Sequence, residues 1–336
     1  MTSHEKKKYD LFIFWLYSSL VLIFFMVIVG GLTRLTNSGL SITEWELFKG
    51  TLPPFNENSW AYYFDLYKKI PQYDIVNPHM TINEFKVIFY WEYFHRLLGR
   101  LIGIFFLIPL IYFTIKKVFK KNDLLIFYFI FFLICLQGLI GWYMVQSGLV
   151  DNVTVSHYRL SLHLLMAFII IGLIFWSLLN SLYLKTETNQ INKNKIFFNI
   201  LIFLIFLQIF FGALVSGLDA GKIYQTWPLM NESYYPNDIK IINLFELDNR
   251  SSVQFLHRNL AYFLFIYTLF LGAQIYYKHK YLINCYIIVF VLIFAQMSLG
   301  IITLLSGINN YIALLHQLTG VALFLGSIFL RFKLTL

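Results

Sequence analysis

Residues Gly30 to Pro54, GGLTRLTNSGLSITEWELFKGTLPP, stand without gaps against Gly212 to Pro236, GALVSGLDAGKIYQTWPLMNESYYP. Gly30/Gly212, Leu32/Leu214, Gly39/Gly221, Trp45/Trp227 and Pro54/Pro236 fall in register. The correspondence continues in the same order. Glu92-Tyr-Phe-His95-Arg96 stands against Gln254-Phe-Leu-His257-Arg258, then Gln137, Gly141, Ser147 and Gly148 against Gln296, Gly300, Ser306 and Gly307, then His163 against His316. The second half repeats the first, with expected units of 1–185 and 186–336.

Composition sets the class. With 59% hydrophobic and 13% charged residues and a mean hydropathy of +0.67, the chain has too little polar surface for a soluble protein of its length. Apolar runs of about 20 residues, enough to cross a hydrocarbon layer, are read near 11–31, 91–115, 123–146, 158–184, 196–218, 253–277, 281–306 and 311–332. The expected fold is an all-α membrane protein of eight transmembrane helices, arranged as two tandem pseudo-symmetric four-helix bundles.

The formal charge of +9 does not point to nucleic acid. Lys6 to Lys8, Lys116, Lys117, Lys120, Lys121, Lys185, Lys193, Lys195, Lys278, Lys280, Arg331 and Lys333 all flank one side of the spans. By the positive-inside rule that side is cytoplasmic, both termini lie there, and the lysines meet anionic lipid. The first apolar segment has no small-residue cleavage site and a counterpart near residue 200, so it reads as a retained helix rather than a signal peptide. Cys135 and Cys285 sit inside spans at unmatched positions, which argues against a disulfide or a thiolate metal site.

The opposite face carries the long connections, 32–90 and 219–252, rich in Trp and Tyr as an interfacial belt would be. Asn58 to Lys69 (NSWAYYFDLYKK) reads as an amphipathic helix lying on the membrane. The connections at 147–157 and 307–310 are short, which makes the flanking helices antiparallel neighbours.

His95, His163, His257 and His316 each fall near the start of a span that runs inward from the outer face. Ionisable groups inside spans are costly and face cavities or partners, so two matched pairs at one depth call for a ligand. A single metal with two imidazoles is undercoordinated unless a macrocycle completes it, and heme does so between facing helices. Zinc asks for three or four protein ligands, and no third His, Cys or acidic residue recurs in both repeats. His4, His79 and His279 lie outside the spans. His157 has no repeat partner and lies six residues before His163, so it faces another way and is the weaker alternative ligand.

Glu92, one turn before His95, is matched by Gln254. A carboxylate in one pocket and an amide in the other make the first pocket the catalytic candidate and the second a cofactor site, the plainer alternative being a Glu92 that is solvated or paired with Arg96 or Arg100. Arg96 and Arg258 follow ligand histidines and suit heme propionates. Arg34 and Arg159 are weaker candidates for that task.

Gly31-Leu-Thr-Arg34-Leu-Thr-Asn-Ser-Gly39-Leu-Ser41, Glu84-Phe-Lys, Glu92-Tyr-Phe-His95-Arg96-Leu-Leu-Gly99-Arg100 and Tyr158-Arg-Leu-Ser-Leu-His163 together resemble the heme A synthase family over nearly the whole chain. The long first connection, with Pro53-Pro54 and Asn77 to Lys86, is similar to the alphaproteobacterial and mitochondrial branch. A cysteine pair found there in another branch is absent.

The resemblance implies oxidation of the C8 methyl of heme O to a formyl group in two steps, giving heme A for cytochrome c oxidase. It implies that His95 and His163 hold the substrate heme, that His257 and His316 ligate a heme b cofactor, and that Glu92 is the catalytic carboxylate. It further implies a bacterial inner membrane with heme sites near the outer face, heme O synthase as supplier and an electron-transfer partner. Self-association of the chain is compatible with these expectations. Two rival readings stand beside it: a bis-histidine diheme cytochrome b passing electrons, and a transporter of an amphipathic ligand built on a parallel repeat.

Overall fold

In the lipid core every backbone polar group must be satisfied within its own segment, which favours helices wherever the chain is continuously apolar. The structure, a computed structural model, describes residues 3–45, 49–118, 121–150, 152–183 and 195–336, and among these there are helices and no β-strand. The helices are α1 Ser3–Leu35, α2 Glu57–Tyr67, α3 Pro71–Val76, α4 Ile82–Ile115, α5 Lys121–Gln146, α6 His157–Leu182, α7 Lys195–Gly217, α8 Arg250–Lys278, α9 Ile283–Leu305 and α10 Asn310–Lys333. All but α2 and α3, eight in number, are long and apolar enough to cross a membrane. Their outward faces carry bare apolar side chains, among them Phe14, Phe25, Ile108, Phe132, Phe203 and Ile288, as lipid-facing helices do.

The chain divides into two compact units, Met1–Ile170 and Ile171–Leu336, with the division inside α6. The boundary expected at 185/186 lies outside the described residues, as do Lys120, Lys185 and Lys193.

In the first unit α1, α4 and α5 are locked by buried aromatics. Phe12 meets Phe113 at 5.6 Å and Phe127 at 5.3 Å between ring centroids, and Trp15 meets Phe106 at 4.7 Å, spacings at which tilted and edge-on pairs attract. In the second unit Tyr267 on α8 donates to the Phe197 carbonyl of α7 (2.8 Å), Tyr286 on α9 donates to the Thr268 carbonyl of α8 (3.1 Å), and Arg331 on α10 donates to Asn199 on α7 (2.8 Å). Each such bond removes a polar group from lipid.

The connection before α4 differs from expectation. The apolar run predicts a start near residue 91, but α4 begins at Ile82, capped by a reciprocal Thr81–Glu84 box in which Glu84 accepts from the Thr81 amide at 2.8 Å. Charged Glu84 and Lys86 disguise the extension in a hydropathy reading. Its reason is α2: Trp60 packs on Phe89 (5.0 Å), Phe64 on Phe85 (5.0 Å) and Tyr67 on Phe85 (5.3 Å). The helix expected at 58–69 therefore exists, but its apolar face is spent on α4 rather than on a membrane surface. Tyr67 is capped in turn by Gln72, which accepts from its hydroxyl at 3.0 Å and donates to the Val153 carbonyl at 3.2 Å.

Candidate functional site

The four histidines share one local construction. A Cβ placed on Gly30 of α1 would come within 2.9 Å of His95 Cε1, and one on Gly141 of α5 within 3.0 Å of His163 Cε1. In the second unit the corresponding distances are 3.2 Å from Gly212 of α7 to His257 and 3.0 Å from Gly300 of α9 to His316. Each imidazole thus lies against bare backbone of a neighbouring helix, closer than almost any residue but glycine permits. The sequence comparison pairs Gly30 with Gly212 and Gly141 with Gly300; the structure supplies the reason.

His95 and His163 face each other with ring centroids 6.4 Å apart. Two imidazoles bound to opposite faces of one porphyrin iron, with metal–nitrogen bonds of about 2 Å and ring radii of about 1 Å, put their centroids roughly 6 Å apart. His257 and His316 are likewise neighbours. The Nδ1 atoms of His95, His163 and His316 are buried without a hydrogen-bond partner, which buried polar groups rarely tolerate. Among the described residues no cluster of three or more His, Cys, Asp or Glu exists, so the donor set fits paired axial ligation and does not fit zinc.

Two glutamines support this frame. Gln137 donates to the His163 carbonyl (3.0 Å) and Gln208 to the His257 carbonyl (3.0 Å), its amide also lying 3.1 Å from His257 Nδ1.

Glu92 is 3% exposed and fully engaged. Oε2 accepts from Ser41 Oγ (2.7 Å) and the Ile42 amide (2.8 Å), and Oε1 accepts from Arg96 Nη2 (2.5 Å). The same guanidinium donates to the carbonyls of Ile42 (2.7 Å) and Glu44 (3.2 Å) and lies 5.6 Å from the Trp45 ring. Arg100 donates to the Gly50 carbonyl (3.2 Å). The pairing of Glu92 with Arg96, one of the alternatives the sequence leaves open, is present, and together they hold the 36–45 connection over the His95 turn.

The second unit repeats the arginine and inverts the acid. Arg258 donates to the Tyr224 carbonyl (2.8 Å), and Tyr224 is the repeat counterpart of Ile42. Gln254, also 3% exposed, donates to that same carbonyl (2.9 Å), whereas Glu92 accepts from the matching amide. Below it, Tyr224 and Ser251 both donate to Asp238, each at 2.6 Å. Burial pushes the Asp238 carboxyl up, but the bonds from Ser251 and Tyr224 outweigh it and hold it below the ordinary value.

The remaining candidates fall elsewhere. His157 is the first residue of α6, its ring 4.1 Å from that of Tyr158. Arg159 lies over the Tyr143 ring at 3.8 Å and donates to the Tyr143 carbonyl. Arg34 donates to Asn37. Both cysteines are free. The sequence pairs the glycines behind the histidines without giving them a role and does not single out the loop residues Ser41 and Ile42 or Gln208 as site residues; for Gln208 no repeat match exists to flag it, since Met26 stands in its place.

The family COX15-CtaA, described as cytochrome oxidase assembly protein, matches residues 13–328. A heme A synthase of Pelagibacter ubique is 51% identical over 321 residues, covering 94% of each chain. Heme A synthases of Rickettsia akari and Rickettsia felis are 42% and 40% identical over 315 residues, covering 92% of this chain and 94% of theirs.

Proposed function

Because the chain belongs to the COX15-CtaA family of cytochrome oxidase assembly proteins and has heme A synthase function, we propose that it oxidises the C8 methyl of heme O to a formyl group in two successive steps, through the alcohol. It is an enzyme of heme A biosynthesis. One observation carries the assignment of roles: buried histidine pairs stand on glycines in both units, and only the first adds a carboxylate one turn from a histidine.

In this reading the repeat 1–185 is the substrate half and 186–336 the cofactor half. His95 and His163 bind the substrate heme O. His257 and His316 would hold a heme b, which supplies electron relay when bound. Glu92 takes a proton or stabilises positive charge that develops beside the porphyrin, a general acid–base role open to a carboxylate held in place. Ser41, Ile42 and Arg96 hold it. A guanidinium has five donors, so Arg96 and Arg258 keep N–H groups for propionates after binding their loop carbonyls.

The lysine flank supports a bacterial inner membrane, with both termini cytoplasmic and the heme sites near the outer face. Heme O synthase would supply the substrate and an electron-transfer partner would exchange electrons with the chain; self-association is compatible with this scheme. The diheme cytochrome b reading is not favoured, since the relatives are synthases.

The test is to express the chain with a heme O synthase in a host lacking heme A and to chromatograph the extracted hemes. Heme A with the hydroxylated intermediate is expected. Unaltered heme O in a folded, heme-loaded chain would overturn the reading.

A further inference from the structure

Four residues occupy equivalent places behind the histidines. Each glycine that faces an imidazole is preceded, one helical turn earlier, by a residue on the same helix face: Gln137 before Gly141, Gln208 before Gly212, Gln296 before Gly300, and Met26 before Gly30. Three are glutamine and one is not.

The structural equivalence is direct. Gln137 and Gln208 each donate to the carbonyl of the histidine they support, both at 3.0 Å. Gln296 reaches the turn that follows its histidine, its Nε2 3.4 Å from the place a Cβ would take on Gly320, four residues after His316. Met26 does the same for the first histidine: its Cε lies 3.3 Å from the place of a Cβ on Gly99, four residues after His95. A thioether carries no donor and adapts its shape readily. The His95 turn is therefore the one of the four with a soft apolar neighbour where the others have a polar amide.

Resting on the reading that the histidine pairs hold hemes, we propose that Met26 makes His95 the yielding axial ligand of the first site. Substrate heme enters, and product heme leaves, through movement of the His95 turn, while His163 stays clamped by Gln137. The second site, with glutamine behind both ligands, retains its heme as a resident cofactor requires. Met26 is a positioning residue: it acts through His95 and sets exchange, not chemistry.

The test is a reciprocal swap in the full, heme-loaded chain, with heme transfer to excess apomyoglobin followed by visible spectroscopy. The wild-type chain should show a fast phase from the first site and a slow phase from the second. Met26→Gln should slow the fast phase about fivefold and Gln208→Met should speed the slow phase about fivefold, the worth of roughly one net hydrogen bond. Met26→Leu should leave the fast phase unchanged, and the low-spin bis-imidazole electron paramagnetic resonance signal should persist in all three. A fast phase at the wild-type rate in a folded, loaded Met26→Gln chain would overturn the proposal, as would an unchanged slow phase in Gln208→Met. If Met26→Gln fails to load, Gln137→Met on the other ligand of the same site decides: a faster first phase supports the clamp, and an unchanged one overturns it. A wild-type chain that takes up no heme overturns the underlying reading before any swap is made.

Discussion

Gly138 and Gly141 stand three residues apart on α5, yet a Cβ on the first meets nothing within 4 Å while one on the second meets His163 Cε1 at 3.0 Å. The contrast separates helix propensity from site geometry. Gly138→Ala should be neutral or slightly stabilising, since alanine is the better helix former. Gly141→Ala should displace the imidazole, with an overpacking cost of about 1–3 kcal/mol and a loss of first-site heme. Heme content per folded chain distinguishes the two, and equal content would refute the packing account.

Glu92→Gln should keep the second-site heme spectrum and lower heme A output about a hundredfold or more, the scale on which positioned acid–base groups act. The amide cannot accept from Ser41, Ile42 and Arg96 together as the carboxylate does, so the 36–45 connection should also become more open to protease. Normal heme A yield from this variant would remove Glu92 from the chemistry.

Phe85 is fully buried between α2 and α4. Phe85→Ala should cost about 3–5 kcal/mol and free α2, lowering the thermal midpoint of the first unit while the second-site heme spectrum is unchanged. Loss of both signals together would show that the cluster supports more than its own unit.

Asp238 links Tyr224 to the start of α8. Its carboxyl titrates below the ordinary aspartate value of 3.8, so its contribution is present above that value and is lost as pH falls through it and below. Hydrogen exchange in residues 219–249 should rise over that window in the wild-type chain. In Asp238→Asn it should already be raised at neutral pH and show less change with acid.

The spans, the repeat and the paired histidines were legible because hydropathy over about 20 residues and four histidines in register are strong one-dimensional signals. The outward extension of α4 was not, because Glu84 and Lys86 break the apolar run while the cap at Thr81 and the packing of Phe85 and Phe89 sustain the helix. The glycines behind the histidines were visible as matched letters only; their meaning lies in a contact between helices far apart in sequence. Glu92 stands out in the sequence as an asymmetry between the repeats, but its donors Ser41 and Ile42 lie about fifty residues away, where no spacing rule applies.

Arg96 and Arg258 both donate to peptide carbonyls in their connections, at Ile42 and Tyr224. A carbonyl is the same whatever residue bears it, which is how an aliphatic side chain and a phenol can fill equivalent places with one contact preserved. At this contact both connections are consequently locked by length rather than by side-chain identity. The side chains at 42 and 224 can differ without loss of this contact, but an insertion or deletion of one residue between Gly39 and Ile42 would present the wrong peptide to the guanidinium.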